Sequence, residues 1–250
     1  MNMFLSGVAC IALAMAATAH AGEVTVSAAA SLTNAFHDIA AAFSRENPTV
    51  TVHTNYASSN ALLKQMESGA PVDVVATADQ QTMDKAQQAK LIDPATRADF
   101  VSNTLVMVVP GDFTVVLESA AGLTQDAVRR IAIGTPASVP AGRYAKEALT
   151  SLGVWDALAP KFVYGSNVRQ VLDYVKRGEV EAGIVYGSDA LAAREAVKVV
   201  CVMSGHRPVR YPIAVTTMGS GKQEVRSFFQ FITSPKGMEI LKKHGLAETR

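Results

Sequence analysis

The stretch AAASLTNAF, residues 28–36, stands where a strand-like run passes into a helical pattern. The run Val24-Thr25-Val26-Ser27 precedes it, and Leu32, Phe36 and Ile39 set the helical spacing that follows. The turn between them holds only small residues, three alanines and one serine. A strand that passes directly into a helix is typical of α/β proteins, and a bend of small residues lets the backbone come close to another group.

The rest of the chain repeats this alternation of strand-like and helical segments. The predicted strands are residues 24–28, 50–54, 72–76, 105–109, 131–133, 161–164, 183–186, 198–202 and 213–216. The clearest helical spacings cover residues 145–152 and 168–175. Pro235 is expected to divide residues 224–243 into two helices, because proline fits the first turn of a helix and not its interior. The pattern predicts an α/β fold with mainly parallel sheets.

The composition favours a compact globular protein and argues against a nucleic-acid partner. The chain has 250 residues, of which 49% are hydrophobic and 18% charged, enough to form one large core or two medium ones. Its 23 Lys and Arg residues nearly balance its 22 Asp and Glu residues. Surfaces that bind polyanions normally need a basic excess, so nucleic acid is not expected as a partner.

The N-terminus has the features of an export signal. Residues 8–17, VACIALAMAA, form an apolar run that is too short to span a bilayer but typical of a secretory signal. Ala19-His20-Ala21 fits a cleavage site, so residues 1–21 are predicted to be a signal peptide, although residues 1–7 contain no Lys or Arg. Cleavage would remove Cys10 and leave Cys201 alone, which excludes an intramolecular disulfide in the mature chain.

Common catalytic and metal-binding motifs are missing from the sequence. The five histidines do not stand at metal-ligand spacings, and a single mature cysteine cannot form a thiolate zinc cluster. No G-x-S-x-G elbow occurs, and residues 218–222 (MGSGK) lack the first glycine and the following Ser or Thr of a P-loop. No directly protein-ligated metal ion is therefore expected.

The positive signal is a junction that recurs before four predicted helices, at residues 30–32, 57–59, 139–142 and 166–168. Each junction consists of small or capping residues. The first N–H groups of a helix have no partner inside the helix and carry about half a positive charge, so each such end can hold an anion. Four converging ends would supply roughly +2 at most, enough to balance a dianion. For any single junction, however, ordinary helix capping by Ser or Asn is the simpler interpretation.

Five blocks of sequence resemble the periplasmic molybdate-binding proteins of ABC transporters. They are AAASLTNA (28–35), YASS (56–59), GAPVD (69–73), VPAGRYAKEAL (139–149) and GIVYGSDA (183–190). The resemblance runs from about Glu23 to the C-terminus. It implies the type II periplasmic binding protein fold, which has two α/β lobes joined by two crossing segments. The first lobe would be residues 22–103 plus 215–250 and the second residues 104–214, with crossings near 103–106 and 211–215.

The same resemblance implies a ligand site between the lobes. Ser31 and Ser59 would each supply a hydroxyl and a backbone amide from the first lobe. Ala141 and Val168 would supply backbone amides from the second lobe, and Tyr186 its phenolic hydroxyl. All five positions hold the expected residue type.

Three neighbouring positions are less clear. Residue 60 is Asn where a third small serine would be more usual, which changes the rim of the site. Arg143 and Arg169 lie just past the amides of Ala141 and Val168. Helical side-chain direction turns both arginines away from the ligand, into a solvated or inter-lobe position.

The function that the resemblance implies is that of an exported receptor without enzymatic activity or cofactor. It would be a periplasmic monomer that captures molybdate or tungstate and delivers it to an ABC permease, with molybdenum bound only as the oxyanion. A pocket of donors alone suits a fully deprotonated oxyanion, since a protonated oxygen would leave a buried donor unpaired. Two alternatives stay open at this point: the same fold with sulfate, phosphate or chelated iron, and an enzyme with Ser31 or Ser59 as nucleophile, for which no base is recognisable.

Overall fold

The computed structural model describes residues 22–249. The predicted signal peptide, its cleavage site and Cys10 lie outside the described residues. Among the described helices, none combines the length and the apolar character needed to cross a membrane.

Strands and helices alternate along the described part of the chain. In chain order, the strands are β1 (Gly22–Ala29), β2 (Val50–Ala57), β3 (Val74–Ala76), β4 (Ala98–Asn103), β5 (Leu105–Pro110), β6 (Ile131–Gly134), β7 (Phe162–Gly165), β8 (Ala182–Tyr186), β9 (Val197–Val202), β10 (Val209–Val215) and β11 (Ala247–Glu248). The helices are α1 (Thr33–Glu46), α2 (Ser59–Glu67), α3 (Gln80–Gln88), α4 (Pro140–Ser151), α5 (Trp155–Leu158), α6 (Val168–Lys176), α7 (Gly187–Ala192), α8 (Gln223–Thr233) and α9 (Pro235–Lys243).

The strands form two separate sheets. The first has the order β11-β4-β10-β3-β1-β2, and the second has the order β7-β6-β8-β5-β9. Each sheet is parallel on one side, where β1 pairs with β2 and β3, and β6 pairs with β7 and β8. The remaining pairs are antiparallel. The α/β class and the arrangement around two sheets are confirmed. We call the elements built around the first sheet the first lobe and those around the second sheet the second lobe.

The chain passes between the two sheets twice. Thr104 alone separates β4 in the first sheet from β5 in the second. The chain returns between β9 and β10, through residues 203–208. All of β10 pairs within the first sheet. The returning chain has therefore re-entered the first sheet before residue 215.

Local sequence explains most of these elements. Val171, Leu172 and Val175 are buried on one face of α6, as their spacing predicts. The predicted break at Pro235 is also confirmed, and the Ser234 side chain caps α9 by accepting a hydrogen bond from the Gly237 amide. Sequence patterning missed β4, which has no regular alternation of apolar and polar residues, and β11, which is only two residues long.

An aromatic cluster packs α8 against α1 in the first lobe. The ring of Phe43 in α1 packs edge-on against Phe228 and Phe231 of α8, with centroid distances of 5.0 and 5.6 Å. Phe43 is 1% exposed. Such pairs add stability beyond the burial of apolar area.

We therefore expect Phe43→Ala to lower the free energy of unfolding by about 3–5 kcal/mol, because it leaves a cavity between α1 and α8. Chemical denaturation followed by circular dichroism measures this. Val116→Ala, at a side chain that is 77% exposed, is the matched control and should change stability by less than about 0.5 kcal/mol. Equal effects of the two substitutions would contradict this view of the cluster.

Candidate functional site

The four helix starts singled out in the sequence meet at one small cavity between the lobes. The space free of protein atoms there, open solvent included, is about 200 Å³. The residues around it are Ala29, Ala30, Ser31, Ala57, Ser58, Ser59, Ala78, Val139, Pro140, Ala141, Val168 and Tyr186. All five residues predicted to bind a ligand are in this set, so the structure brings every one of them together.

Ser31 lies in a buried 3₁₀ turn, Ala30–Leu32, that links β1 to α1. Helix capping, the simpler interpretation of this junction, is wrong for Ser31, since neither the turn nor α1 has a side-chain cap. Ser31 lies within the turn, and its Oγ is 2.8 Å from the Tyr211 hydroxyl oxygen instead. Capping therefore does not explain the serine at this junction.

Ser59 is the first residue of α2 and is completely buried. Its Oγ accepts a hydrogen bond of 2.9 Å from the backbone N–H of Ala78. Since an amide can only donate, the hydroxyl proton of Ser59 remains free to be donated elsewhere. Ser58, the residue before the helix, makes no side-chain cap either.

The second lobe contributes two helix starts with different caps. In α4, Pro140 is the first helical residue and has no N–H, so the first amide available is that of Ala141. In α6, the Asn167 side chain accepts hydrogen bonds from the amides of Arg169 and Gln170. This cap does not use the amide of Val168, which lies beside the cavity.

Tyr186 ends β8 and is 1% exposed. Within residues 22–249 its hydroxyl has no hydrogen-bond partner. Burial raises the pKa of Tyr186 well above its ordinary value, so the hydroxyl keeps its proton and acts as a donor. An unpaired buried hydroxyl costs about 1–3 kcal/mol, which a ligand that accepts a hydrogen bond would recover.

No residue around the cavity carries a formal charge, because the set contains only Ala, Ser, Val, Pro and one neutral Tyr. The positive potential of the site therefore comes from backbone amides at helix starts. Small side chains leave room for an anion to approach these amides. A Cβ at Gly142 would overlap the Gly134 carbonyl oxygen, so α4 can approach β6 only with glycine at that position.

Polar groups beside the cavity join the two lobes. Arg143 of the second lobe forms an ion pair with Asp79 of the first, and the two side chains are 16% and 6% exposed. The Asn60 amide donates a 3.1 Å hydrogen bond to the Ala137 carbonyl oxygen across the same gap. Thr82 supports Asn60 by donating to its side-chain oxygen at 2.9 Å. Of the two expected positions for Arg143, the structure has the inter-lobe one.

Arg169 makes a further contact between the lobes, to the Ser31 turn. Its Nε is 2.7 Å from the Asp189 carboxylate, and its guanidinium donates a 3.5 Å hydrogen bond to the Ser31 carbonyl oxygen. Burial raises the pKa of Asp189 to about 6, although the charge of Arg169 acts in the opposite direction. Asp189 also accepts a 3.3 Å hydrogen bond from the Tyr186 amide. Arg169 thus holds the start of α6 beside the Ser31 turn.

Among the groups beside the site that sequence reasoning missed are Tyr211, the amide of Ala78 and Asp79. Tyr211 lies in β10, far along the chain from Ser31, and no local pattern links the two. The amide of Ala78 has no side-chain signal at all. Asp79 could have been recognised, since it precedes α3 at the N-cap position and accepts from the Thr82 amide.

Metal-binding chemistry is not indicated. Within residues 22–249, no group of three or more His, Cys, Asp or Glu side chains is arranged to hold a metal ion.

The fold and the sequence identify the class of protein. The profile of the family described as bacterial extracellular solute-binding protein matches residues 24–247. The molybdate-binding protein ModA of Escherichia coli (strain K12) is 44% identical over 253 residues, which covers 98% of this chain and 96% of that protein. The chain therefore belongs to the bacterial extracellular solute-binding proteins.

Solved structures share the fold. The periplasmic molybdate-binding protein of Azotobacter vinelandii superposes with a TM-score of 0.81 at 22% identity, over 91% of this chain and 100% of that one. The sulfate-binding protein SubI of Mycobacterium tuberculosis H37Rv superposes with a TM-score of 0.79 at 16% identity, over 91% and 87%. At these identities, the two structures confirm the two-lobed fold alone.

We expect Arg143→Met to weaken the contact between the lobes by about 1–3 kcal/mol, because it leaves the mostly buried Asp79 carboxylate without its ion partner. Small-angle scattering should show a larger radius of gyration for the variant. Arg177→Met is the matched control, since Arg177 pairs with Glu179 within the second lobe and both side chains are largely exposed. An unchanged radius of gyration for Arg143→Met would contradict a closing role for the ion pair.

Proposed function

We propose that this chain captures molybdate or tungstate between its two lobes and delivers the oxyanion to the permease of an ABC transporter. The observation that carries the proposal is the cavity with no formal charge. The residues around it supply the hydroxyls of Ser31, Ser59 and Tyr186 and the backbone amides of Ala141 and Val168, which stand in the first turns of α4 and α6. These five residues are the proposed ligands.

The chemistry of this set favours a doubly charged oxyanion. Helix starts supply about half a positive charge each, so four of them approach the charge of a dianion without any Lys or Arg. The hydroxyls of Ser59 and Tyr186 have their protons available for donation. A ligand oxygen that carried a proton would face these donors and leave one of them unpaired, at a cost of about 1–3 kcal/mol.

The relatives support molybdate over other anions. A protein 44% identical over nearly the whole chain is named a molybdate-binding protein. Sulfate is the second candidate, because a sulfate-binding protein has the same fold. Sulfate has the same charge and shape as molybdate and is smaller, so only the distances between donors would separate the two anions.

The proposal also includes export of the protein and a role in binding without catalysis. We propose that residues 1–21 are cleaved as a signal peptide and that the mature protein acts in the periplasm as a monomer. Ser31 and Ser59 act as hydrogen-bond donors, not as nucleophiles, since no residue around the cavity is a His, Lys or carboxylate that could act as a base.

We also propose boundaries for the lobes. The first lobe comprises residues 22–103 and the C-terminal segment, and the second begins at residue 104. We place the return crossing at residues 203–208, upstream of the 211–215 expected from the resemblance, because β10 pairs only in the first sheet. The proposed hinge is then Thr104 together with residues 203–208.

Calorimetric titration with molybdate, tungstate and sulfate tests the proposed function. We expect molybdate and tungstate to bind with similar affinity, since they share charge, shape and nearly the same size. Binding of sulfate without molybdate would contradict the proposal. Turnover of ester or phosphate substrates would contradict the passive role.

Removal of single donors tests the proposed ligands. Ser59→Ala and Tyr186→Phe should each weaken molybdate binding by about 1–3 kcal/mol, because each removes a hydrogen bond to a charged ligand. Matched controls are Ser68→Ala, at an exposed position at the end of α2, and Tyr164→Phe, at a side chain that is 49% exposed. Both controls should leave the affinity unchanged. Normal affinity in both Ser59→Ala and Tyr186→Phe would mean that the ligand binds elsewhere.

A further inference from the structure

A chain of hydrogen bonds runs from the crossing between the lobes to the cavity. The side-chain amide of Asn103, the last residue of β4, donates a 3.3 Å hydrogen bond to the Tyr211 hydroxyl. The Tyr211 hydroxyl oxygen is in turn 2.8 Å from Ser31 Oγ. Tyr211 is completely buried, and Ser31 is 4% exposed.

The orientation of the Asn103 amide is fixed by backbone groups. Its Oδ1 accepts hydrogen bonds from the amides of Thr104 at 2.9 Å and Ser188 at 3.4 Å. Backbone amides only donate, so the atom that faces them must be the oxygen. The Nδ2 atom therefore points the other way, where it donates to Ser188 Oγ at 2.8 Å and to Tyr211.

This orientation determines where the Tyr211 proton goes. Within residues 22–249 the hydroxyl of Tyr211 has two hydrogen-bond partners, Asn103 and Ser31. The Nδ2 atom of Asn103 cannot accept a hydrogen bond, so Tyr211 can donate only to Ser31 Oγ. Burial raises the pKa of Tyr211 well above its ordinary value, which keeps this proton in place.

We propose that Asn103 and Tyr211 are positioning residues that direct the hydroxyl proton of Ser31 into the cavity. Because Ser31 Oγ accepts from Tyr211, its own proton is left for a ligand oxygen. The backbone amide of Ala78 has the same effect on Ser59. It donates a hydrogen bond to Ser59 Oγ, so the hydroxyl proton of Ser59 is left for a ligand oxygen. Both serines are thus set as donors before a ligand arrives, which favours anions without a protonated oxygen.

This series of hydrogen bonds also connects the donor direction of Ser31 to both lobes. Asn103 and Tyr211 belong to the first sheet, whereas Ser188, which shares the Asn103 amide, lies in α7 of the second lobe. The donor direction of Ser31 is therefore held by groups from both sides of the crossing at Thr104. The proposal rests on the proposed function, because it requires an oxyanion at Ser31.

A double-mutant cycle separates this role from simple packing. Tyr211→Phe retains the buried ring and removes only the hydroxyl, and we expect it to weaken molybdate binding about three- to tenfold. In a Ser31→Ala background, the same substitution should change the dissociation constant less than about twofold, because Tyr211 acts through Ser31. Equal losses in the two backgrounds would overturn the proposal, since they would show that Tyr211 acts independently of Ser31.

The substitution Asn103→Asp provides a second test of the positioning role. A carboxylate cannot donate, so the Tyr211 proton would turn to it, and the Tyr211 oxygen would then compete with the ligand as an acceptor for the Ser31 proton. We expect Asn103→Asp to lower the affinity for molybdate more when Ser31 is present than in the Ser31→Ala background. The loss in the Ser31→Ala background measures the effect of the added charge alone. Equal losses would again overturn the proposal. Thermal unfolding of each variant shows that the protein tested is folded.

The outcomes separate this proposal from the proposed function. If the wild-type protein binds molybdate and the cycle is additive, only the positioning role fails. If it binds sulfate and not molybdate, the proposed function fails, and the same cycle with sulfate decides the positioning role. If the wild-type protein binds none of molybdate, tungstate and sulfate, both proposals fail.

Discussion

The backbone amides at the starts of helices, which have no partner inside the helix, are the constraint on which the rest of the structure depends. An ionised group costs tens of kcal/mol to bury in an apolar medium unless protein groups compensate for the lost water. For the proposed oxyanion, the compensation would come from aligned peptide dipoles and not from charged side chains, since the residues around the cavity are all neutral. The charged residues nearby are paired with one another, as in Arg143 with Asp79 and Arg169 with Asp189. One of these pairs, Arg143 with Asp79, joins the two lobes, and the other lies within the second lobe; both leave the cavity itself without charge.

This constraint explains the unusual composition of the junctions. Amides can point into a cavity only where the side chains at the helix start are small, which accounts for the run of alanines before Ser31 and for Gly142 in α4. The hydroxyls that remain are held by groups outside the cavity, Tyr211 for Ser31 and the Ala78 amide for Ser59. Neither hydroxyl serves as a helix cap. At both positions the serine is explained by what surrounds the cavity, not by the stability of its own helix.

The sequence alone predicted the α/β class, most of the strands and the split between α8 and α9, because each depends on local patterns of apolar residues and proline. The four helix starts were also visible as local composition. Their convergence was not, since it depends on how two sheets face each other, and only the family resemblance suggested it. Tyr211 and Asn103 were missed for the same reason: they lie 180 and 72 residues from Ser31 along the chain. The antiparallel pairing of β10 with β4 brings the two together, and only Tyr211 contacts Ser31. Asn60 looked like a departure from the usual pattern, and the structure shows it bridging the lobes through the Ala137 carbonyl oxygen.

The amides of Ala141 and Val168 have a consequence for inheritance. A contact made by a backbone N–H survives any substitution that keeps the helix start in place and does not fill the cavity. Two of the five proposed ligand positions can therefore change residue identity, within a limit on size, while the proposed site keeps its donors. Among related sequences, such a site is identified by the spacing of small residues before helices. Comparisons that count identical side chains will therefore underestimate how far the site is retained.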